Sequence, residues 1–177
     1  ATKLVLFGTG NAEPWNPGAN GRNKVSGQEG SGDNLYTSSI VAVDAETGEY
    51  RWHFQQTPED RWDYDSNAQI TVADVVLNGQ KRHVVLHAPK NGYFYILDAK
   101  TGQFISATPW TMINWSTGID SKTGRPQINP EARYEQTGKL WVSIPGAGGA
   151  HSWQPMSFSS QTGLMYIPAN QGGFPYV

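Results

Sequence analysis

The chain has 177 residues, of which 37% are hydrophobic and 16% are charged, a composition typical of folded globular domains. The net charge is −2 and the 13 lysines and arginines are scattered, so we expect neither a nucleic acid partner nor an anionic membrane partner. The absence of cysteine excludes disulfides, thiolate metal sites and covalent haem attachment within this segment, and no apolar run approaches the roughly 20 residues of a membrane span.

Short apolar segments bounded by turn residues recur along the chain and predict strands. They lie at 3–9, 38–44, 50–56, 69–77, 82–88, 92–98, 155–160 and 163–169. No stretch longer than about two turns keeps a period of 3.6 residues, so we expect few helices and an all-β protein. The chain enters its first strand almost at once and lacks an initiator Met, and we expect it to be a segment of a longer chain.

The same unit recurs three times as an apolar strand, a turn ending in Thr-Gly and a second apolar strand. The three copies are "IVAVDAETGEYRWHF", "YFYILDAKTGQFISA" and "PMSFSSQTGLMYIPA", and "IDSKTGRP" contains a further turn of this type. Their spacing fits the four-stranded blades of a β-propeller, and about three blades would fit in residues 1–177. Since a closed propeller needs four to eight blades, either the rest of the ring lies outside this segment or the hairpins belong to a sandwich.

Two carboxylates lie one residue apart in "EDRWDYDSN", at Asp63 and Asp65. If this segment is extended, both side chains lie on one face and Tyr64 on the other. Such a pair needs a cation between the carboxylates or a shared proton, unless water screens it as in an ordinary surface loop.

Several motifs together resemble one protein family. "AVDAETGEYRW" resembles the tryptophan-docking motif of pyrroloquinoline quinone (PQQ) dehydrogenases, in which Trp52 would pack beside the turn glycine of a neighbouring blade. "GTGNAEPWNPG", "QQTPEDRWDYD", "HAPKNGYFYILDAKTG" and "GAHSWQPMSF" look like successive segments of PQQ-dependent alcohol dehydrogenases, most closely the quinohaemoprotein branch. The family fold is an eight-bladed propeller of four-stranded antiparallel blades.

The resemblance implies an activity and its cofactors. A periplasmic enzyme would oxidise alcohols to aldehydes by hydride transfer to PQQ, with a small primary or secondary alcohol as substrate and a lanthanide ion or Ca²⁺ as Lewis acid. A cytochrome c-type protein would accept the electrons, and haem c would be present only if a cytochrome domain lies outside this chain.

The family's functional residues map onto this sequence one by one. The resemblance implies that Asn11 binds the metal ion, that Asp63 binds it and is the general base, and that Lys90 hydrogen-bonds the quinone oxygens. Trp153 matches a cofactor-contacting position, and Ser152 stands where the family commonly has Asn. The family's metal-binding Glu would precede residue 1.

Asp65 lies at the position that separates two groups of the family. Calcium enzymes tend to carry a small or neutral residue there, whereas lanthanide enzymes carry an extra Asp. A trivalent ion offers more charge to offset a further desolvated carboxylate, so we predict a lanthanide site at Asn11, Asp63 and Asp65, with calcium as the alternative.

A different class of protein shares the repeat. A non-catalytic propeller scaffold that binds proteins would need the Thr-Gly turns but not Asn11, Asp63 and Lys90 together. Four further residues near these motifs are expected to be structural: Glu13, Trp62, His87 and His151.

Overall fold

The computed structural model describes residues 3–12, 15 and 32–177, and these residues form mainly antiparallel β-sheet. The strands are β1 (Leu4–Gly8), β2 (Ser39–Asp44), β3 (Tyr50–Gln55), β4 (Thr71–Leu77), β5 (Gln80–His87), β6 (Tyr93–Asp98), β7 (Phe104–Pro109), β8 (Ser116–Ile119), β9 (Pro126–Ile128), β10 (Trp141–Ser143), β11 (Ser157–Ser159), β12 (Leu164–Tyr166) and β13 (Phe174–Tyr176). A 3₁₀ turn at Pro130–Ala132 and the four-residue helix α1 at Tyr134–Thr137 are the helical elements of this part of the chain. Within it, no helix has the length and apolarity that crossing a bilayer requires.

The strands form meanders of the kind that propeller blades contain. Strands β4 to β7 form a complete four-stranded sheet in chain order, and β1 to β3 form a three-stranded sheet. Three two-stranded sheets pair β8 with β9, β11 with β12 and β10 with β13. The all-β prediction is confirmed, and each segment predicted as a strand overlaps one.

The sequence did not predict β10 and β13, which pair Trp141 with Tyr176 across a long stretch of chain. Each has only three residues, and β13 has Pro175 at its centre. A short strand with a central proline has no local strand signal, and its pairing is decided by a distant partner. The number of blades in residues 1–177 stays a prediction.

The Thr-Gly turns share one local hydrogen-bond pattern. In three of them an aspartate starts the turn, and its Oδ1 accepts from two backbone N–H groups within the turn. The turn then closes when the glycine N–H donates to the carbonyl oxygen four residues earlier, at Gly48, Gly102, Gly124 and Gly163. The φ angles of these glycines lie between 70° and 75°, a backbone conformation that glycine adopts without steric cost. The aspartate-glycine spacing therefore encodes the hairpins locally.

Trp52 joins the three-stranded sheet to the four-stranded sheet, as the docking motif predicts. Its indole is almost fully buried and lies against Gly102, where an added Cβ would come within 2.4 Å of a ring carbon. The ring packs with Ile40, Val85 and Leu97 in one apolar cluster. This contact fixes how two neighbouring blades sit side by side.

A second cluster is aromatic and lies next to the segment that carries the acidic pair. Its fully buried large side chains come from residues far apart in the chain: Trp62, Tyr64, Tyr95, Trp115, Tyr134 and Tyr176. Neighbouring rings lie 5.2–6.2 Å apart between centroids, the usual range for stacked and edge-on contacts. The buried tyrosine hydroxyls hydrogen-bond to backbone or side-chain oxygens, so the polar atoms that the cluster buries have partners.

We expect Gly102→Ala to destabilise the intact protein far more than Gly79→Ala. Both glycines have positive φ angles, 71° and 78°, so each substitution adds the strain of a left-handed alanine, about 1 kcal/mol. An added Cβ at Gly79 meets nothing within 4 Å, whereas one at Gly102 must displace the Trp52 ring. Thermal unfolding midpoints of the two variants measure the difference, and equal shifts would show that the Trp52 contact does not hold the sheets together.

Candidate active site

Four chain segments meet at the predicted site residues. They are the end of β1, the loop 60–68, the residues after β5 and the loop 146–153. The Ser66 N–H donates to Thr9 O over 3.0 Å, and the Ala150 N–H donates to Lys90 O over 2.9 Å. A Cβ on Gly8 would lie only 1.7 Å from the Ser66 carbonyl oxygen, so glycine is required where β1 meets the loop.

Lys90 lies between the two carboxylates. Its Nζ is 2.6 Å from Asp65 Oδ2 and 3.2 Å from Asp63 Oδ2. The three side chains are only 11–25% exposed, so water contributes little to screening the two negative charges. The ammonium therefore supplies the cation that the acidic pair needs.

Burial alone would lower the pKa of Lys90, because the charged form loses its hydration. The hydrogen bond with Asp65 and the charges of Asp65 and Asp63 outweigh that effect and raise the pKa above its ordinary value. Lys90 is consequently a permanent cation at neutral pH. Its aliphatic stem fits against Gly149, where an added Cβ would come within 2.4 Å of Lys90 Cγ.

The backbone from Asp63 to Asp65 is not extended, in contrast to the conformation considered in the sequence analysis. Both carboxylates nevertheless contact the same cation. Loop 60–68 contains no strand, and Asp63 has a φ angle of 65°, in the left-handed region. Non-glycine residues are uncommon there and are often found at functional sites. Tyr64 is fully buried in the aromatic cluster, while the carboxylates of Asp63 and Asp65 both contact Lys90.

Asp60, which the sequence analysis did not single out, shapes this loop. It is almost fully buried, and its two carboxylate oxygens accept from the N–H groups of Trp62 and Tyr64 over 2.9 and 2.7 Å. The Ser38 hydroxyl donates to it over 3.1 Å. An aspartate whose side chain accepts from backbone N–H groups two residues on is a common turn former, and this was the signal available in the sequence.

The aromatic cluster anchors the loop from the other side. The Trp62 indole N–H donates to Ala132 O over 3.2 Å, and the Tyr176 hydroxyl donates to Trp62 O over 2.7 Å. The Tyr64 hydroxyl bonds to Ser143 and to the carbonyl of Pro145. The expectation that Trp62 is structural agrees with this burial.

Asn11 contacts the acidic pair through its backbone. Its N–H donates to Asp65 Oδ1 over 2.7 Å, and its side-chain N–H donates to Ala12 O over 2.9 Å. The side-chain amide oxygen is the atom that could ligate a metal ion. Asn11, Asp63, Asp65 and Lys90 are therefore brought together.

Ser152 and Trp153 are not bonded to this cluster through their side chains. Ser152 is half-buried and Trp153 is 80% exposed, and in the part of the chain that the structure describes neither side chain hydrogen-bonds to the acids or to Lys90. They follow Ala150, whose N–H holds the backbone of Lys90. Glu13 lies outside the described residues.

The donor set fits a hard cation that needs a further ligand. Two carboxylates and an amide oxygen are the ligand types that Ca²⁺ and similar ions prefer. No group of three or more His, Cys, Asp or Glu side chains suited to a metal occurs among the described residues, and these atoms could supply only part of a coordination shell. The buried ammonium of Lys90 is suited to an anionic cofactor beside that shell.

A three-stranded and a four-stranded antiparallel sheet with Thr-Gly turns, joined by tryptophan docking beside a buried acid–lysine cluster, define a β-propeller of the quinoprotein type. The chain belongs to the PQQ family described as "Glucose/ethanol/alcohol dehydrogenase, beta-propeller domain", whose family model matches residues 15–109. The dehydrogenase subunit of alcohol dehydrogenase (quinone) from Komagataeibacter europaeus is 54% identical over 173 residues, which are 98% of this chain and 22% of that protein.

Solved structures show the same relationship. Quinohemoprotein alcohol dehydrogenase from Comamonas testosteroni superposes with a TM-score of 0.87 at 45% identity, over 98% of this chain and 24% of that one. A europium-containing methanol dehydrogenase superposes with a TM-score of 0.84 at 35% identity, over 96% of this chain and 28% of that one. The chain spans between 22% and 28% of the length of these relatives.

The titration of Asp60 should make stability depend on pH. Burial raises the pKa of Asp60 to about 6, although its hydrogen bonds from Trp62, Tyr64 and Ser38 act in the opposite direction. Since the folded state binds this proton more tightly than the unfolded chain, the contribution to stability is complete below about pH 4 and is lost as the pH rises through about 6.

We therefore expect the unfolding free energy of the wild type, minus that of Asp60→Asn, to fall as the pH rises from about 4 to about 6 and beyond. Denaturant unfolding midpoints across this range measure the difference, because other titrating groups are common to both proteins. A difference that is constant or grows with pH would contradict the assignment.

Proposed function

We propose that this chain is part of a PQQ-dependent alcohol dehydrogenase that oxidises primary or secondary alcohols. The observation that supports it best is the buried cluster of Asp63, Asp65 and Lys90. Burying three charges costs free energy unless they are paired, and a protein-binding scaffold gains nothing from placing them beside Asn11. The family assignment and the relatives named as alcohol dehydrogenases support the same activity.

When bound, PQQ supplies an electrophilic quinone that accepts a hydride from the alcohol carbon. Asp63 accepts the proton of the alcohol hydroxyl at a carboxylate oxygen, which makes it the general base. Lys90 donates hydrogen bonds from its ammonium toward the cofactor oxygens and holds Asp63 at a fixed position over 3.2 Å.

Other residues of the chain orient and enclose the reactants. Asn11 and Asp65 hold the metal ion with Asp63, and Trp153 and Ser152 line the cofactor. The high exposure of Trp153 suits a side chain that a planar cofactor covers. The aromatic cluster beneath loop 60–68 excludes water from one side of the site.

We also propose that the metal ion is a lanthanide, with Ca²⁺ as the alternative. Asp65 is 13% exposed and adds a second carboxylate beside Asp63, which a trivalent ion offsets better than a divalent one. A europium-containing methanol dehydrogenase among the similar structures supports this proposal.

Electrons would leave through a c-type cytochrome in the periplasm. A relative from Thauera butanivorans is named 1-butanol dehydrogenase (cytochrome c), and others are named quinohemoproteins. Because this chain has no cysteine, any covalently attached haem c would be bound outside it.

Replacing Asp63 should abolish most of the turnover. We expect Asp63→Asn to lower kcat for alcohol oxidation at least about 10²-fold, because the amide cannot accept the hydroxyl proton. PQQ-dependent dye reduction by the intact protein measures kcat, and metal content measured in parallel separates loss of the base from loss of the ion. Asp74→Asn is the matched control, since Asp74 is exposed on β4 and pairs with His83. Undiminished turnover in Asp63→Asn would remove Asp63 as the base.

Replacing Asp65 should change the choice of metal. Asp65→Asn keeps an oxygen for the Asn11 N–H but loses one charge, so the affinity for La³⁺ should fall about tenfold more than the affinity for Ca²⁺. Titration of metal-free protein with each ion, followed by PQQ-dependent activity, measures both affinities. Wild-type protein that regains activity with Ca²⁺ and not with La³⁺ would reject the lanthanide proposal.

A further inference from the structure

Four charged side chains form a second shielded cluster beside loop 60–68, and none of them takes part in the proposed chemistry. They are Glu59, Arg61, Arg133 and Glu135, whose side chains are 10–29% exposed, and we call them the four-charge cluster. Arg61 Nη2 lies 3.2 Å from Glu59 Oε1, and Arg133 Nη2 lies 3.0 Å from Glu59 Oε2. Both guanidinium groups lie 3.8 Å from Glu135 Oε1. The two positive and two negative charges therefore face one another.

The four-charge cluster is poorly suited to stabilising the fold. Both carboxylate oxygens of Glu135 and the Nε of Arg61 are buried without a hydrogen-bond partner in the part of the chain that the structure describes. Buried ion pairs that are only partly satisfied often contribute less stability than apolar side chains of similar size. The position of these charges, next to the segment that carries Asp63, offers another role.

Arg133 contacts both ends of a strained segment of this loop. Glu59 and Asp63 have φ angles of 54° and 65°, in the left-handed region that non-glycine residues seldom occupy. At the first end, Arg133 pairs with the Glu59 side chain, and its Nη1 donates to Glu59 O over 3.5 Å. At the other end, its guanidinium carbon lies 5.4 Å from the centroid of the Trp62 ring, a cation–π distance. Trp62 directly precedes Asp63 in the chain.

We propose that Arg133 is a positioning residue for Asp63 that acts through Trp62, and that Glu59 orients the Arg133 guanidinium for this contact. By holding the Trp62 ring and the Glu59 carbonyl together, Arg133 fixes the backbone from which the Asp63 carboxylate reaches Lys90. The consequence for catalysis rests on the proposed function, since it requires Asp63 to be the base. The positioning itself does not.

Arginine has a chemical advantage over lysine at residue 133. The planar guanidinium lies over the Trp62 ring while its separate N–H groups bond to the side chain and the carbonyl of Glu59. The three N–H groups of a lysine ammonium radiate from one atom, so it can pair with Glu59 but does not span the same contacts. Arg133→Lys therefore keeps the charge of the cluster and removes the contact geometry.

Amide hydrogen exchange of the intact metal-free, PQQ-free protein tests the positioning. The reporters are the N–H groups of Trp62 and Tyr64, which flank Asp63 and are hydrogen-bonded in this state. The reference is the N–H of Ala99, which bonds to strand β5 in the four-stranded sheet. In Arg133→Lys we expect protection of the two reporters to fall about tenfold and that of Ala99 to stay unchanged, because the change is local. Reporter protection equal to that of wild type, or an equal fall at Ala99, would overturn the inference.

The comparison is made at a single pH of about 8, above the pKa of about 6 for Asp60, so the titration of Asp60 does not enter it. Arg51→Lys is the matched control, because it makes the same change in an exposed pair with Asp44 over 2.9 Å. Its reporter protection and its turnover should equal those of wild type. A fall in reporter protection as large as that of Arg133→Lys would overturn the inference.

Glu59→Gln provides a second variant that does not depend on the folding of Arg133→Lys. It removes the carboxylate that orients Arg133 and leaves Trp62 in place, so the two reporters should again lose protection about tenfold. Because both changes act through one contact, the double variant should lose little more than either single variant. Unchanged protection in Glu59→Gln, or fully additive losses in the double variant, would overturn the inference.

Steady-state kinetics of the holoprotein at saturating metal ion provide the last measurement. In Arg133→Lys we expect kcat for alcohol oxidation to fall about tenfold and KM to change less than about twofold, because a misplaced base weakens the transition state and not substrate binding. Unchanged kcat would overturn the positioning of Asp63 by Arg133. Wild-type protein without PQQ-dependent turnover would overturn the proposed function, and the exchange result would still decide whether Arg133 holds the loop.

Discussion

The contact of the Lys90 ammonium with Asp63 and Asp65 is the constraint on which the rest of the site depends. Two carboxylates this close and this shielded from water repel each other, and the ammonium between them offsets that repulsion. A buried ion pair offsets the loss of hydration only when its geometry is good and its remaining polar atoms are satisfied. The Asn11 N–H satisfies an oxygen of Asp65, and the missing side chain of Gly149 leaves room for the stem of Lys90, so the cluster meets both conditions.

The support for this charge cluster comes from elements that are distant in the sequence. Asp60 sets the path of loop 60–68, and the aromatic cluster holds Trp62 and Tyr64 through acceptors and donors beyond residue 130. A base and a metal ligand must be held within a fraction of an ångström to act, and side chains on a packed aromatic layer have that precision. The contacts that hold loop 60–68 therefore also fix the positions of the Asp63 and Asp65 carboxylates.

The two buried histidines, His87 and His151, show that residue type and burial do not decide which groups bond to a ring. His87 has a partner amide that can present either an acceptor or a donor, and burial keeps it neutral. His151 has two carbonyl partners and no such choice. The sequence analysis expected both to be structural, and the difference between them lies only in which groups the fold places beside each ring.

The sequence by itself determined most of the strands, the Thr-Gly turns, the docking of Trp52 and the family, because these depend on interactions within a few residues or on short motifs. The aspartate-to-glycine turn is complete within five residues, so its signal is local. Only the tertiary structure decided the pairing of β10 with β13, the left-handed Asp63, the burial of Asp60 and the partners of His151. Each of these depends on groups from distant parts of the chain, and the free energy of burying a charge or a carbonyl is set by those groups and not by the neighbours in sequence.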